Sequence, residues 1–580
     1  MHKLARWQTI LIIALLLVVL GGAGYAVFWR PRSSLASPAS PLIPSLSEWS
    51  IIRSLPTVLP VTIPEALGGS KEERNVYIEG SAGVPQSINP LLAQYNDVDR
   101  DLCALIFEGL TAFDERGVIV PRLASSWDIS PDGITYTFRL RQDVRWHDGA
   151  PFSADDVLFT INLMRDPDFQ ALDASGLFAL WDSIKVEKLD DYTLRCVLAE
   201  PYTPFLDYTT IGILPAHLLS KIAPRQLPKA QFNAQPVGTG PFQVESVSAQ
   251  QVTLKTNATY WGQRPKLDGV IFRFYPDGDS LFAAHQKGEI DGISLITPAM
   301  MPRLRADQRL NLYSGRLAKY TMILLNLADK DLPFFGQVEV RQALLYALDR
   351  QAIVNQAAAG QGLVAHSPFI PDTWAYDPKV VTYTQNLPRA RQLLEQAGWV
   401  DANGDGVREK DGKRLEFSLI TSEDPTWTRV VQEVARQWAA VGVKATPETV
   451  SFTRLVGEYL YPRRFEAILI APEFAGDPDP YPFWHSTQAT DKGQNWSGFS
   501  NRRADEIMEQ ARTTTDQVRR TELYYEFQRI FAQQVPAILL YYPIYNYAID
   551  ARVQGVQVAP MNQPSDRFRT IAQWYIQKGR

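Results

Sequence analysis

Cysteine is nearly absent: the 580 residues contain two, Cys103 and Cys196. No CxxC pair and no cluster of cysteine with histidine occurs, which excludes the usual zinc frameworks and dithiol redox motifs. The six histidines, His2, His147, His217, His285, His366 and His485, include no pair at metal-ligating spacing. Catalytic signatures are missing too: there is no GxSxG, HExxH, Walker A loop or kinase motif set. Gly238-Thr239-Gly240 runs into Pro241, which forbids the continuous helix start of a dinucleotide loop. A basic excess is lacking as well. The formal net charge is −5, so the chain has no electrostatic footprint for nucleic acid.

What is present points to a large folded body. The length exceeds what one hydrophobic core organises, so two or more lobes are expected. An apolar share of 45% and a charged share of 21% are those of a globular protein. Cys103 shares a helical stripe with Ile106 and Leu110, and Cys196 alternates with Leu194 and Leu198. Two readings stand for the cysteines, a mutual disulfide or two quiet buried thiols.

The N-terminus carries a location. Residues 8–29 hold no charge and follow Lys3 and Arg6. The run is long enough to span a hydrocarbon core. Residues 1–30 are therefore expected to be a membrane anchor with its N-terminus in the cytoplasm. A cleaved signal ending near Gly24-Tyr25-Ala26 is the rival reading. Residues 31–74 form an extended tether, with seven prolines between positions 31 and 64. Anchor, tether and body place the protein outside the cytoplasm, attached to the cell membrane.

Along the body, residues 134–140, 252–256 and 269–275 alternate as strands. Residues 338–359 carry apolar groups at helical spacing and read as one helix ended by Gly360. Helices are also expected over 388–398, 501–512 and 516–534, the last two capped by Asn501 and Asp516. The fold class is mixed α/β.

Three stretches are specific: Leu123–Val157 (LASSWDISPDGITYTFRLRQDVRWHDGAPFSADDV), Gly238–Gly262 (GTGPFQVESVSAQQVTLKTNATYWG) and Val340–Val354 (VRQALLYALDRQAIV). Together they resemble the extracytoplasmic peptide-type solute-binding proteins of ABC importers (solute-binding protein family 5). Read on their own chemistry, Ser130-Pro131-Asp132-Gly133 and His147-Asp148-Gly149 are turns. Ser153 with Asp155 and Asp156 can cap a helix. His147 is read as structural, so these motifs identify a scaffold and not a catalytic site.

The resemblance implies a two-lobe periplasmic-binding-protein (class II, Venus-flytrap) fold with an extra subdomain on the first lobe. It places lobe I at 75–118, 236–318 and 541–580, the extra subdomain at 119–235, and lobe II at 319–540. Crossings fall near Tyr320 and Tyr541. A peptide or other small polar solute would lie between the lobes, and the closed form would dock on ABC permease subunits. The protein would not be an enzyme and would need no cofactor.

The resemblance also implies ligand contacts. Phe107-Glu108-Gly109-Leu110 sets a register in which Tyr95, Asn96 and Asp97 line the cleft and pair with extended ligand backbone. The plain reading of that segment is a loop ahead of a helix, capped by Asp97. In the family an aspartate three positions before an Asp-Pro pair receives a peptide's α-ammonium. Here the two possible registers put Gly476 or Phe474 there, leaving Asp477 or Asp479 as substitutes. Trp484 and Phe483 could wall the cleft or fill the core. Tyr541 and Tyr542 lie where a cleft tyrosine is expected, and alternation lets at most one face ligand. Trp427, opening a helix over 427–440, is a further candidate. Rival functions are a membrane-anchored solute sensor, a binder of oligosaccharide or another non-peptide solute, and a hydrolase on the same scaffold.

One motif stands apart. Residues 401–412, DANGDGVREKDG, open like a calcium loop, yet position twelve is Gly412 and not the bidentate glutamate an EF-hand needs. Asp401, Asn403, Asp405, the Val407 carbonyl and Asp411 could still hold a structural Ca2+. The other reading is a pair of tight turns.

Overall fold

The computed structural model describes residues 75–577 except 171–176, 475, 491–492 and 559–560. The expected anchor (1–30) and tether (31–74) lie outside the described residues. Among the described residues no helix is long and apolar enough to cross a membrane.

Twelve strands join through one long strand, Ala537–Asp550. Its first part pairs antiparallel with Thr321–Leu325, and its second part, from Ile544, with Leu310–Arg316. Pro543, which has no N–H to donate, sits where pairing passes from one ladder to the other. The chain thus crosses twice between two sheets, at 316–321 and at 541–544. On the first side lie Gly292–Ile293, Val76–Ala82, Gly269–Tyr275, Gln251–Thr256 and Phe242–Val247; on the second lie Ala467–Ile470, Glu416–Ser422 and Lys444–Val450. This is a two-lobe α/β fold. We call the side of Val76–Ala82 the first lobe.

The second-lobe sheet is covered on both faces, and its sequence shows why. In Thr321–Leu325 every residue is buried. Ile323 and Leu325 point into one core with the helices Leu387–Gln396 and Pro425–Ala439; Met322 and Leu324 point into another with Arg502–Thr513 and Gln517–Gln534. The expected single helix over 338–359 is two helices, Val338–Tyr346 and Arg350–Ala357. Asp349 accepts a hydrogen bond from Ala352 N at 2.8 Å and so caps a new start.

The first lobe carries a four-stranded antiparallel sheet built from Ala124–Ile129, Thr135–Leu140, Thr193–Val197 and Lys185–Asp190. Cys103 and Cys196 are buried and free, so the disulfide reading falls. Burial pushes the Cys196 thiol up to about 12, which keeps it inert.

The sequence motifs knit this scaffold. His147 Nδ1 accepts from Gly238 N at 3.1 Å, and Nε2 lies 3.0 Å from the Gly240 carbonyl. Burial drives His147 down to about 4, so the ring is neutral and Nε2–H donates. Glu108 accepts from Tyr260 Oη and Trp261 Nε1 and pairs with Arg122 at 2.7 Å. Ser153 and Asp156 form a capping box on Ala154–Arg165. Arg341 donates to the carbonyls of Phe335, Gln534 and Val535, closing the C-terminal end of Gln517–Gln534.

Candidate functional site

Among the described residues the lobes touch at several points, and two of them bear on the site. Near the crossings, Glu473 forms a β-bridge with Lys319, and Phe474 N donates to the Ala318 carbonyl at 2.9 Å. Phe474 stacks on Tyr320, 4.6 Å between ring centres. From the first lobe, Arg100 reaches across to Glu473 at 3.0 Å while also pairing with Asp97. Gly476 lies against the first lobe so closely that a Cβ there would stand 2.1 Å from Phe113 Cζ and 3.1 Å from Asn562 Nδ2.

The second meeting place is polar and aromatic. Asp477 N donates to the Asp207 carboxylate of the first lobe. The Asp477 carboxylate takes a bidentate pair from Arg520, 2.8 and 2.9 Å. Asp479 pairs with Arg512 at 2.8 Å. The Arg512 guanidinium lies 4.8 Å from the ring centre of Tyr202 on one lobe and 3.9 Å from that of Tyr481 on the other. Thr203 satisfies carbonyls at the end of Arg502–Thr513: its N donates to Arg512 O at 2.9 Å and its Oγ1 to Thr514 O at 2.9 Å.

The expected contacts fall out unequally. Tyr95 ends the 3-10 turn Ala93–Tyr95. Asn96, not Asp97, caps the helix Asp97–Ile106, accepting from Val98 N and Asp99 N. Asp97 is exposed and turned to Arg100, which places this segment opposite Glu473. Asp477 and Asp479 are not free to meet an ammonium, because Arg520 and Arg512 already hold them. Trp484 is core: it is 1% exposed and packs edge-on against Phe531. Phe483 lies half-buried against Phe474. Tyr541 and Tyr542 do take opposite faces, and both are buried, one in each second-lobe core. The Tyr542 hydroxyl is tied to the carbonyls of Ser367 and Phe369. Neither tyrosine is a cleft wall. Trp427 is half-buried between the same two cores.

The 401–412 loop resolves into two turns. Asp401 accepts from Gly404 N and Gly406 N, Asn403 from Asp405 N, and Asp405 from Val407 N. Arg414 pairs with Asp405 and supplies the positive charge locally. Asp411, at φ 53°, belongs with Gly412 to a separate two-residue hairpin turn between Lys410 and Lys413. Among the described residues no group of three or more His, Cys, Asp or Glu side chains converges as metal ligands would.

Sequence reasoning missed Arg100, Phe113, Asp207, Glu473, Arg512 and Arg520. One signal was readable: two aspartates two apart in an apolar setting require cations, and Arg512, Arg519 and Arg520 flank a later helix junction.

Comparison with known proteins bears on this two-lobe geometry. Residues 118–495 match the family described as bacterial extracellular solute-binding proteins, family 5, middle region. The chain is 30% identical over 524 residues to the oligopeptide-binding protein AppA of Bacillus subtilis, covering 88% of this chain and 93% of that one. It is 28% identical over 513 residues to the dipeptide-binding protein of Escherichia coli, covering 83% and 92%. Among solved structures, B. subtilis AppA in complex with a nonapeptide superposes with a TM-score of 0.72 at 29% identity, covering 87% of this chain and 99% of that one.

Proposed function

Because this chain belongs to the bacterial extracellular solute-binding proteins of family 5, we propose that it is the substrate-binding component of an ABC transporter, capturing a peptide-like solute between its lobes and delivering it to a membrane permease. The observation that carries this reading is the pair of crossings under second-lobe residues Glu473, Gly476 and Asp477, which close directly onto the first lobe. Two lobes on two narrow connections can open and shut, and a solute that touches both favours the closed form. The relatives' peptide ligands support a peptide-like solute over the sensor or sugar-binder alternatives.

The lobe boundaries we assign are 75–118, 236–318 and 544–580 for lobe I, 119–235 for its extra subdomain and 319–543 for lobe II; the expected boundary at Tyr541 moves because Tyr541 and Tyr542 pack in the second-lobe cores. Backbone of 95–97 and of Glu473, Phe474 and Gly476 lines the cleft from either side. Glu473, 38% exposed, is the second-lobe acid there which reaches solvent, and Arg100 and Lys319 pair with it. No covalent chemistry is required of any residue. Residues 8–29 anchor the chain and 31–74 tether the body outside the cytoplasm.

The test is ligand-dependent melting of the full chain in detergent. A solute at 100 times its Kd adds about 2.7 kcal/mol. Short peptides are expected to raise the melting temperature. If no peptide does so while an oligosaccharide does, the peptide assignment fails. Release of cleaved product from an added peptide would overturn the non-enzymatic reading.

A further inference from the structure

We propose that the contact of the Tyr202–Asp207 segment with Asp477, Asp479 and Arg512 is a latch that holds the lobes closed, and that the charge on Asp207 decides whether it engages. The proposal rests on the reading of the protein as a two-lobe closing binder. The latch involves none of the residues assigned to solute backbone, 95–97 and Glu473, Phe474 and Gly476, so closure can be biased from outside the cleft.

The geometry is that of a joint between two cores. Tyr202 and Tyr208 pack on the first-lobe core, and Tyr481 on the second-lobe core. Arg512 lies between Tyr202 and Tyr481 and is fixed by Asp479. Thr203 borrows carbonyls from the end of a second-lobe helix, which water must satisfy when the lobes part.

Charge in the joint does not balance. Three carboxylates, Asp207, Asp477 and Asp479, share two guanidiniums, Arg512 and Arg520. Asp477 and Asp479 each hold an arginine, so the surplus falls on Asp207. Its carboxylate meets Asp477 N–H, the Asp477 carboxylate and, beyond it, Arg520 from the second lobe. On its own element Tyr208 is beside it. Burial first, and the Asp477 charge second, push Asp207 up to about 7 in this closed form. In an open form the side chain returns to the ordinary carboxylate range near ~4. The closed form therefore binds one proton more between those values. Closure is favoured as pH falls from about 7 toward ~4, and that advantage is lost as pH rises through about 7. The closed-to-open ratio is expected to rise about tenfold from pH 8 to pH 6.

His485, stacked on Tyr481 with Glu509 near Nε2, is the imidazole of this region. The test separates it from Asp207. Dyes on Lys287→Cys and Gln396→Cys, on opposite lobes, report distance in single molecules of the full chain, while Cys103 and Cys196 stay buried and unlabelled. Without added solute, the closed population should grow from pH 8 to pH 6. Asp207→Asn keeps the acceptor for Asp477 N–H and cannot titrate, so its closed population should be high and flat. Asp207→Ser provides a second non-titrating variant should the amide fold poorly. A flat wild-type profile, or an unchanged slope in the Asn variant, overturns the latch. Closure that responds to a peptide pool but not to pH overturns the latch alone, and closure that responds to neither overturns the capture reading as well.

Discussion

Two carboxylate–arginine clusters in this molecule look alike on paper and differ in what surrounds them. In the first lobe, Arg567 is held by Glu79 and Asp101, with Tyr77 and Tyr547 donating to Glu79. All of these groups are buried within one core, and they join the first strand, the first long helix and the C-terminal segment. In the latch, Asp207, Asp477, Arg520, Asp479 and Arg512 are shared between two lobes. The first cluster can exchange with water only when the lobe unfolds. The second can do so whenever the lobes part. The same chemistry therefore sets fold stability in one place and a conformational balance in the other.

The largest effect should come from breaking the buried cluster. Arg567→Met leaves two carboxylates in the core without their cation, and a loss of about 3–5 kcal/mol is expected in urea unfolding. Arg512→Gln removes an arginine paired with a single carboxylate from the latch. It should change unfolding stability by no more than about 1 kcal/mol while sharply lowering the closed population. Equal stability losses in the two variants would erase the distinction.

Gly476→Ala sharpens the comparison from the steric side. Its Cβ meets Phe113 only when the lobes are shut. Overpacking of about 1–3 kcal/mol should weaken solute binding roughly 5- to 150-fold with melting of the solute-free protein unchanged. Titration calorimetry with a binding peptide checks it.

Within the first lobe, Asp99 accepts from Gln86 N and Ser87 N, and burial pushes it up to about 6. A raised carboxylate contributes stability below its unfolded value that is lost as pH rises through about 6. Thermal stability should thus fall by about 2 kcal/mol between pH 4 and pH 7, and Asp99→Asn should flatten that slope. The smallest effect is expected at 401–412, where chelator should leave the melting curve unmoved, because Arg414 and the backbone already satisfy the acids.

Much of the fold could be read from residues alone. Alternation in 134–140, 252–256 and 269–275 and helix spacing after 338 gave elements close to those observed. Local chemistry explains both successes and slips: Asp349 restarts a helix that periodicity runs through, and Asn96 takes the cap expected of Asp97. The candidate site was less legible. Aromatic character marked Trp484, Tyr541 and Tyr542, but exposure is decided by packing from distant segments such as Phe531 and Ser367. Asp477 and Asp479 stood out as acids; their arginines lie more than thirty residues away, and Asp207 comes from the other lobe. Pairings of that range leave no periodic trace in a sequence.

The central claim is capture of a solute by closure of one lobe on the other. Native mass spectrometry of the gently purified full chain tests it most directly, with Gly476→Leu as the comparison. The account predicts a wild-type complex heavier than the chain by a peptide-like mass, and a variant that carries the bare chain mass. Bare wild-type protein that also fails to gain mass from a pool of short peptides would contradict it.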